Sequence, residues 1–357
     1  MRLKFAVIIG LLSINGFAFA DSPGKPKNII LVIGDGMGLA HIALAEYLYK
    51  PPSALARMEV VGLQKTYSAD NLETDSGAAG TALSCGVKTF NSGIGEDADS
   101  ISVPSIMELA HQHGLKTGFV VTCSVVHATP AVFYAHVDSR GAYEAIAKDL
   151  TYANIDVFAG GGEQYFSERA SDKYDLLKVL EAKEYRVIRN GDIFGQTHID
   201  RIDPDERIAC FTALNDPPRA TNGRNYLPNL AVDAVEALER RSDKGYFMMI
   251  EASQVDWASH ANDAEWLATE MQDMYDMLDG VLEKVLADKN TLLIVTSDHE
   301  CGYLSVKGKK YPRLEFGSKV HSSQMVPVFA TGPGAEEFLG IYENTEIFHK
   351  MKKLLGL

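Results

Sequence analysis

Long uninterrupted apolar runs, each followed by glycine or polar residues, are the main pattern of this chain. Such runs are typical of parallel strands that are buried on both faces. They occupy residues 28–33, 117–121, 156–162, 245–251, 291–296 and 326–330, of which the last is the final strand that we expect. Helical patterns cover residues 103–113, 227–241 and about 262–288, and a further helix begins near Leu39. The alternation predicts an α/β fold with three αβα layers around a central, mostly parallel sheet.

The remaining segments indicate one domain with peripheral segments and a small insertion. Residues 163–225 are more polar and irregular, and we expect them to be peripheral. Residues 303–320 are a polar, Lys-containing excursion that we interpret as a small insertion. Because the sequence has no internal repeat or low-complexity tract, we expect residues 21–357 to form a single domain.

Polar residues at the ends of the strands are the first indication of chemistry. Asp35 follows the first strand, Thr129 lies after the second, and Glu251 ends a later one. Asp298 and His299 follow the strand at residues 291–296. Ligands bind beyond the carboxyl ends of parallel strands, so we expect these side chains to meet at one edge of the sheet.

Composition and charge restrict the possible partners. The chain has 357 residues, of which 46% are hydrophobic, so it can bury a large core. Its formal net charge of −14 argues against a nucleic acid held through phosphate contacts. An anionic substrate must therefore be attracted by a local feature such as metal ions or an arginine.

The first 20 residues have the pattern of a cleavable signal peptide. Arg2 and Lys4 precede an apolar run over residues 5–14, and Ala-Phe-Ala at residues 18–20 is a small-x-small cleavage site. The run is too short to span a bilayer stably. We expect cleavage after Ala20, no stable membrane anchor, and a periplasmic or secreted mature protein.

Ser76 lies in the most distinctive stretch, Thr-Asp-Ser-Gly-Ala-Ala-Gly-Thr-Ala at residues 74–82. Small residues at helical spacing place this hydroxyl at the positive end of a helix, where free backbone N–H groups favour an anion such as phosphate. The stretch thus offers a candidate nucleophile. The alternative is that Asp75 or Ser76 only caps a small-residue helix packed in the core.

Histidine and carboxylate residues in the second half of the chain are candidate zinc ligands. Asp256 and His260 are four residues apart on one helical face, and with His321 they can hold Zn²⁺ with one open coordination position. The adjacent Asp298 and His299, together with Asp35, can hold a second zinc.

Oxygen donors complete this constellation. Ser76 is the remaining ligand for the second zinc, and coordination would turn its hydroxyl into a nucleophile. Thr129 and Glu251 offer only oxygen, which suits Mg²⁺, and Asp35 is placed to bridge that site and the second zinc. Taken singly, His260 and His321 are also consistent with ordinary surface histidines, and the pair at 298–299 with a cap after the strand. Their convergence on one edge of the sheet favours metal sites.

The four cysteines are not predicted to bind metal. They are widely spaced and none belongs to a C-x-x-C pair, a pattern that disfavours zinc–thiolate sites. We expect mostly free, partly buried thiols, and the sequence leaves open whether any disulfide forms. The residues are Cys85, Cys123, Cys210 and Cys301.

Five segments resemble the motifs of alkaline phosphatases. They are Gly-Asp-Gly-Met-Gly at 34–38, Thr-Asp-Ser-Gly-Ala-Ala at 74–79, His-Ala-Thr-Pro-Ala at 127–131, Glu-Ala-Ser-Gln-Val-Asp-Trp-Ala-Ser-His at 251–260, and Thr-Ser-Asp-His-Glu at 296–300. They follow the family order from about residue 28 to the C-terminus. The resemblance implies a metal-dependent phosphomonoesterase, usually homodimeric, that hydrolyses monoesters with a broad range of leaving groups. It releases phosphate and an alcohol through a phosphoserine intermediate.

The resemblance also implies roles for individual residues. Ser76 is the nucleophile, and Arg140 grips two phosphate oxygens in a fork. Each active site holds two Zn²⁺ and one Mg²⁺. The first zinc has Asp256, His260 and His321 as ligands, the second has Asp35, Asp298 and His299, and magnesium has Asp35, Thr129 and Glu251.

His127 and Trp257 depart from the best-known bacterial pattern, which has Asp and Lys at these positions. The His/Trp pair is similar to that of a compact, cold-adapted bacterial branch. We expect both side chains to lie at the substrate-binding face, and His127 to hold a magnesium-bound water rather than the metal. The segment before His321 also departs from the glycine-rich family version, and the chain lacks the family's large insertion.

Three other functions are weaker matches. Related phosphodiesterases generally lack equivalents of Arg140 and of the magnesium ligands. Sulfatases need Cys or Ser in a Cys/Ser-x-Pro-x-Arg setting, whereas Gly77 follows Ser76 here. A catalytically inactive phosphate- or zinc-storage protein would lack the nucleophile or a ligand, and all are present in this sequence.

Overall fold

The structure, a computed structural model, describes residues 24–49, 52–189 and 206–357. The expected signal peptide and its cleavage site after Ala20 lie outside the described residues. Within these residues, no helix has both the length and the apolar character that a membrane span needs.

A ten-stranded sheet forms the middle layer, in the order β14-β2-β13-β8-β1-β7-β3-β4-β6-β5. All pairings in it are parallel except those of β13, which runs antiparallel to both neighbours. Four short strands, β9 to β12, form two separate two-stranded ladders. The strands are β1 Asn28–Gly34, β2 Val60–Lys65, β3 Lys116–Ser124, β4 Val157–Gly161, β5 Tyr185–Ile188, β6 Arg207–Phe211, β7 Tyr246–Ala252, β8 Thr291–Thr296, β9 Glu300–Cys301, β10 Leu304–Lys307, β11 Arg313–Phe316, β12 His321–Ser322, β13 Val326–Thr331 and β14 Gly340–Glu343.

The helices cover both faces of this sheet. They are α1 Leu39–Leu48, α2 Ser76–Cys85, α3 Ile106–Gln112, α4 Ala128–Ala131, α5 Tyr143–Leu150, α6 Gln164–Ser167, α7 Leu176–Ala182, α8 Leu227–Arg241, α9 Gln254–Ala261, α10 Ala264–Asp288 and α11 Thr345–Leu355. Short 3₁₀ turns lie at Leu55–Arg57, Ala220–Asn222 and Ala335–Phe338.

Strand β1 shows why the apolar runs are continuous. Ile29 and Leu31 pack into a core with residues of α2, α3, α5 and α11, whereas Ile30 and Val32 pack into a second core with residues of α1, α8 and α10. Side chains alternate between the two faces of a strand, and here both faces are covered, so residues 29–33 are all apolar. The expected three-layer αβα architecture is confirmed.

Several local predictions were wrong or incomplete. The strand at 326–330 is not the last, because β14 follows it and pairs with β2, which was not predicted. Residues 163–225 contain β5 and β6, which extend the sheet to one edge. Helix α3 begins at Ile106 rather than at 103, because Ser105 and Glu108 form a capping box. Residues 304–316 form the β10–β11 hairpin outside the main sheet.

Candidate active site

Four neighbouring strands, β8, β1, β7 and β3, bring the predicted polar residues together. Their carboxyl ends carry Asp298, Asp35, Glu251 and, one turn beyond β3, Thr129. All four side chains are fully or almost fully buried. Because parallel strands end at the same edge, the order of the strands in the sheet sets the order of these groups across the site.

Ser76 is the first residue of α2, and Asp75 holds that helix end in place. Asp75 Oδ1 accepts hydrogen bonds from the N–H groups of Ala78 at 3.0 Å and Ser92 at 3.1 Å. Its Oδ2 accepts from Arg140 Nη1 at 2.8 Å. Burial raises the pKa of Asp75, but Arg140 and the backbone donors outweigh burial and lower it, so Asp75 remains ionised. Asp75 therefore fixes both the nucleophile and the arginine, a role that the sequence did not reveal.

The first metal group joins α9 to β12. Asp256 Oδ2 lies 3.2 Å from His260 Nε2, and Asp256 Oδ1 lies 3.4 Å from His321 Nε2. The two Nε2 atoms are 3.1 Å apart. The Nδ1 atoms face backbone carbonyls, His260 toward Lys319 at 2.5 Å and His321 toward Thr74 at 2.7 Å. Nδ1–H donation to a carbonyl leaves Nε2 as a metal ligand, so both rings are oriented for one cation.

Protonation of this group reflects the close contacts between its members. Burial raises the pKa of Asp256, but the close contacts with His260 and His321 outweigh it and hold the pKa well below the usual range. The hydrogen bond with Asp256 in turn raises the pKa of His260 to about 8. The carboxylate and the two imidazoles thus favour positive charge at this position.

The second group lies beside Ser76. His299 Nε2 is 3.4 Å from Ser76 Oγ, 3.5 Å from Asp35 Oδ1 and 3.1 Å from Asp298 Oδ2. Asp298 Oδ1 is occupied by the N–H groups of Gly36 at 3.1 Å and His299 at 2.9 Å, so Oδ2 faces the site. The His299 and His321 rings stack at 3.6 Å, which places the first and second groups side by side.

Gly36 allows these two groups to approach each other. Its φ is +71°, and a Cβ at this position would lie 2.8 Å from Asp256 Oδ1. The turn after β1 therefore needs a residue with no side chain, both for the backbone conformation and for the space.

Thr129 and Glu251 form a third, oxygen-only group. The hydroxyl of Thr129 and one carboxylate oxygen of Glu251 are buried with no hydrogen-bond partner. The other carboxylate oxygen, Oε2, lies 3.5 Å from Cys123 Sγ. Burial and the nearby Asp298 raise the pKa of Glu251 to about 8.

The three groups contain buried polar atoms that lack hydrogen-bond partners within the protein. Both oxygens of Asp35 lack hydrogen bonds, as do Asp256 Oδ1 and Asp298 Oδ2. Burial, together with the charges of Asp298, Asp256 and Glu251, raises the pKa of Asp35 well above its usual value. Buried carboxylates without partners are strongly unfavourable, whereas metal ions satisfy oxygen and nitrogen donors of this kind. The residues present fit bound divalent cations.

His127 and Trp257 pack against each other at the mouth of the site. Their ring centroids are 5.6 Å apart with an interplanar angle of 70°. Burial, assisted by the charge of Arg140, lowers the pKa of His127 to about 3, so this side chain is neutral. Its Nδ1 is buried without a hydrogen-bond partner. Both residues are only partly buried.

EDTA is expected to lower the melting temperature, and by more at pH 8 than at pH 5. In the metal-free protein the pKa of Glu251 is about 8, against roughly 4.3 in an unfolded chain. At pH values between these two pKa values the folded state binds more protons than the unfolded state, so the stability of the metal-free protein falls as pH rises. Bound cations remove this penalty once the ligands are deprotonated.

Scanning calorimetry of metal-loaded and stripped samples at about pH 5 and about pH 8 measures this difference. Equal melting temperatures for the two samples at the higher pH would contradict cation binding by these carboxylates.

This donor set, at the carboxyl edge of a mainly parallel sheet, defines the class of metal-dependent phosphate-ester hydrolases. The chain belongs to the alkaline phosphatase family, whose model, described as alkaline phosphatase, matches residues 26–316. It is accordingly a phosphoric monoester hydrolase, which confirms the function expected from the sequence motifs. Members of the family depend on bound metal ions.

Individual relatives support this assignment. The chain is 31% identical to alkaline phosphatase 4 of Bacillus subtilis over 343 residues, which cover 90% of this chain and 72% of that protein. It is 29% identical to the alkaline phosphatase of Escherichia coli over 418 residues, covering 95% and 88%. The solved structure of alkaline phosphatase from the Antarctic bacterium TAB5 is 40% identical, with a TM-score of 0.89 and coverage of 93% and 99%. A variant of that enzyme, with one histidine replaced by aspartate, has Mg bound in its M3 site.

Proposed function

We propose that the site holds two Zn²⁺ and one Mg²⁺ and hydrolyses phosphate monoesters through a phosphoserine at Ser76. The observation that carries this proposal is the convergence of unsatisfied buried carboxylates and histidines on one serine hydroxyl. The nitrogen-containing groups around Asp256 and His299 suit zinc. The oxygen-only group of Thr129, Glu251 and Asp35 suits magnesium, and the Mg in the TAB5 variant supports a third cation of this kind.

Ser76 is placed to attack phosphorus. Its Oγ sits at the positive end of α2, where backbone N–H groups stabilise negative charge on the nucleophile and on the phosphoryl group. The bound cations would supply Lewis-acid activation of the nucleophile and of the leaving-group oxygen. Transfer of the phosphoryl group to Ser76 releases the alcohol, and attack of water on the phosphoserine then releases phosphate.

Arg140 positions the phosphoryl group. Asp75 accepts a hydrogen bond from one guanidinium nitrogen, Nη1. The backbone N–H of Arg140 donates to the backbone carbonyl of Ser92 at 2.8 Å. A guanidinium has five N–H donors in a planar fork, so it can bind two phosphoryl oxygens while it stays on Asp75. Because this grip concerns only the phosphoryl group, we propose a broad range of leaving groups.

Hydrolysis of p-nitrophenyl phosphate and of bis(p-nitrophenyl) phosphate at alkaline pH tests the reaction class. We expect turnover of the monoester that is lost on chelation and restored by Zn²⁺ with Mg²⁺. Faster turnover of the diester would assign the site to phosphodiesterases instead. Absence of turnover with all metals bound would indicate a binding protein.

His127→Asp is expected to reduce the dependence of activity on added Mg²⁺. His127 is neutral, with a pKa of about 3, and so adds no negative charge to the oxygen-only group. A carboxylate there would supply the oxygen donor that Mg²⁺ prefers, and about tenfold tighter apparent Mg²⁺ binding is expected.

Activity titrated with Mg²⁺ measures the effect, with His127→Asn as a neutral control of similar size. An unchanged titration for His127→Asp, or an equal change for both variants, would exclude this role.

We further propose that the mature protein is periplasmic or secreted after cleavage behind Ala20, and that it forms a homodimer like other members of its family. Sequencing of the mature N-terminus tests the first proposal, and sedimentation analysis tests the second.

A further inference from the structure

Cys301 lies beside the first metal group, a position that was not predicted from the sequence. The short strands β9 and β12 pair antiparallel, with Cys301 directly opposite His321. Directly opposite residues of an antiparallel pair point to the same face and have Cβ atoms about 5 Å apart. The N–H of Cys301 also donates to Gly36 O at 3.0 Å, which ties β9 to the turn that carries Asp35.

The Cys301 thiol is within reach of the same cation as its neighbours. Its Sγ and one ligand atom each from Asp256, His260 and His321 all lie within 4.8 Å of one another. Zinc binds sulfur at about 2.3 Å and histidine nitrogen at about 2.0–2.1 Å, so side-chain movements on the order of 1 Å bring all four atoms onto one ion.

Two buried features point to a ligand at this position. Asp256 Oδ1 is buried without a hydrogen-bond partner, and the Cys301 side chain is completely buried beside it. Glu300, the neighbour of Cys301 on β9, bonds instead to Ser322 and to the N–H of Leu304 at 3.0 Å. The pairing of β9 with β12 thus directs the carboxylate away from the metal group and the sulfur toward it.

We propose that Cys301 is a fourth protein ligand of the first metal site, an inference that rests on the cation sites proposed above. The thiol would release its proton to solvent when the cation binds. A set of one sulfur, two imidazoles and one carboxylate selects zinc or cobalt over magnesium and calcium. Zinc also accepts a fifth ligand, so a thiolate at this position leaves room for substrate.

Cobalt substitution tests the proposal without any turnover. We expect Co²⁺-loaded wild-type protein to show a near-ultraviolet sulfur-to-cobalt charge-transfer band. Cys301→Ser should lose the band and bind the cation about 10- to 100-fold more weakly in competition with a chelator. Cys210→Ala is the matched control, because Cys210 is a buried thiol on β6 that belongs to none of the metal groups found among the described residues. Co²⁺-loaded Cys210→Ala protein should show the same charge-transfer band as the wild type.

X-ray absorption of the zinc-loaded wild type supplies a measurement that needs no variant, with a sulfur neighbour expected at about 2.3 Å. A wild-type protein with bound metal but neither the band nor the sulfur neighbour would overturn the proposal, as would a band that persists in Cys301→Ser. Because neither readout involves phosphate, Cys301 can fail as a ligand while monoester hydrolysis stands, and the two proposals are separable.

Discussion

Ser76→Ala is expected to lower kcat for p-nitrophenyl phosphate by roughly 10³-fold or more, the scale found when a catalytic nucleophile is removed. The hydroxyl begins α2 and lies 3.4 Å from His299 Nε2. Its loss removes the atom that we propose as the acceptor of the phosphoryl group. The surrounding donors remain, and residual hydrolysis would come from direct attack of water. Steady-state rates for wild type and variant measure the effect.

Ser84→Ala is the matched control for this prediction. Ser84 lies in the same helix and is also buried, but its hydroxyl donates to Val132 O at 2.8 Å rather than facing the site. Its loss should reduce stability by about 1 kcal/mol and leave kcat nearly unchanged. Acid-quenched protein should carry one phosphoryl group in wild type and none in Ser76→Ala. A Ser76→Ala variant with a tenth or more of wild-type kcat would refute the nucleophile assignment.

Asp35→Ala is expected to cause a loss of similar size, accompanied by loss of metal. Asp35 has both oxygens buried and unbonded, and its pKa is raised by burial and by three other carboxylates of the site. We propose that it is shared by the second group, around His299, and the oxygen-only group, so its removal should weaken cation binding at both. Metal content per chain, measured by mass spectrometry after gel filtration, should fall together with kcat.

Asp156→Ala separates this effect from general destabilisation. Asp156 is another buried aspartate, but it lies before β4 at the opposite end of the sheet, where it accepts from Lys116 Nζ at 2.8 Å and from Thr117 N at 3.0 Å. Its loss should lower the free energy of unfolding by about 1–3 kcal/mol without changing the metal content. If both variants keep their full metal content, Asp35 is not a ligand.

The central strands could be predicted because burial on both faces leaves a strong sequence signal, and the outer strands could not. β1 and β8 are buried along their whole length and have uninterrupted apolar interiors, and their bounds were predicted to within one residue. β2 has the sequence Val-Val-Gly-Leu-Gln-Lys, and the four residues of β14 are partly or largely exposed, so neither stands out from loop sequence. The antiparallel direction of β13 depends on which neighbours it pairs with, which its own residues do not encode.

The site was predictable where its residues follow strands directly, as Asp35 and Asp298 do. His321 lies on a two-residue strand, and only its pairing with β9 brings it to His260. Cys301 was not predicted at this group, because only the pairing of β9 with β12 places it opposite His321. Asp75 was considered only as an alternative helix cap, and its hydrogen bond with Arg140 spans 65 residues and is visible only in the folded chain.

The contact between His260 of α9 and His321 of β12 has a consequence for the lifetime of the folded chain. His260 and His321 are separated by 61 residues, a segment that includes α10, β8 and the β10–β11 hairpin. A cation bound by both would act as a removable cross-link, and closing a loop of this length restricts the unfolded chain by about 4 kcal/mol in the chain-entropy model. Resistance to proteolysis would then follow the rate at which the cation dissociates, so the same ion that serves catalysis would also determine how long the enzyme persists among proteases.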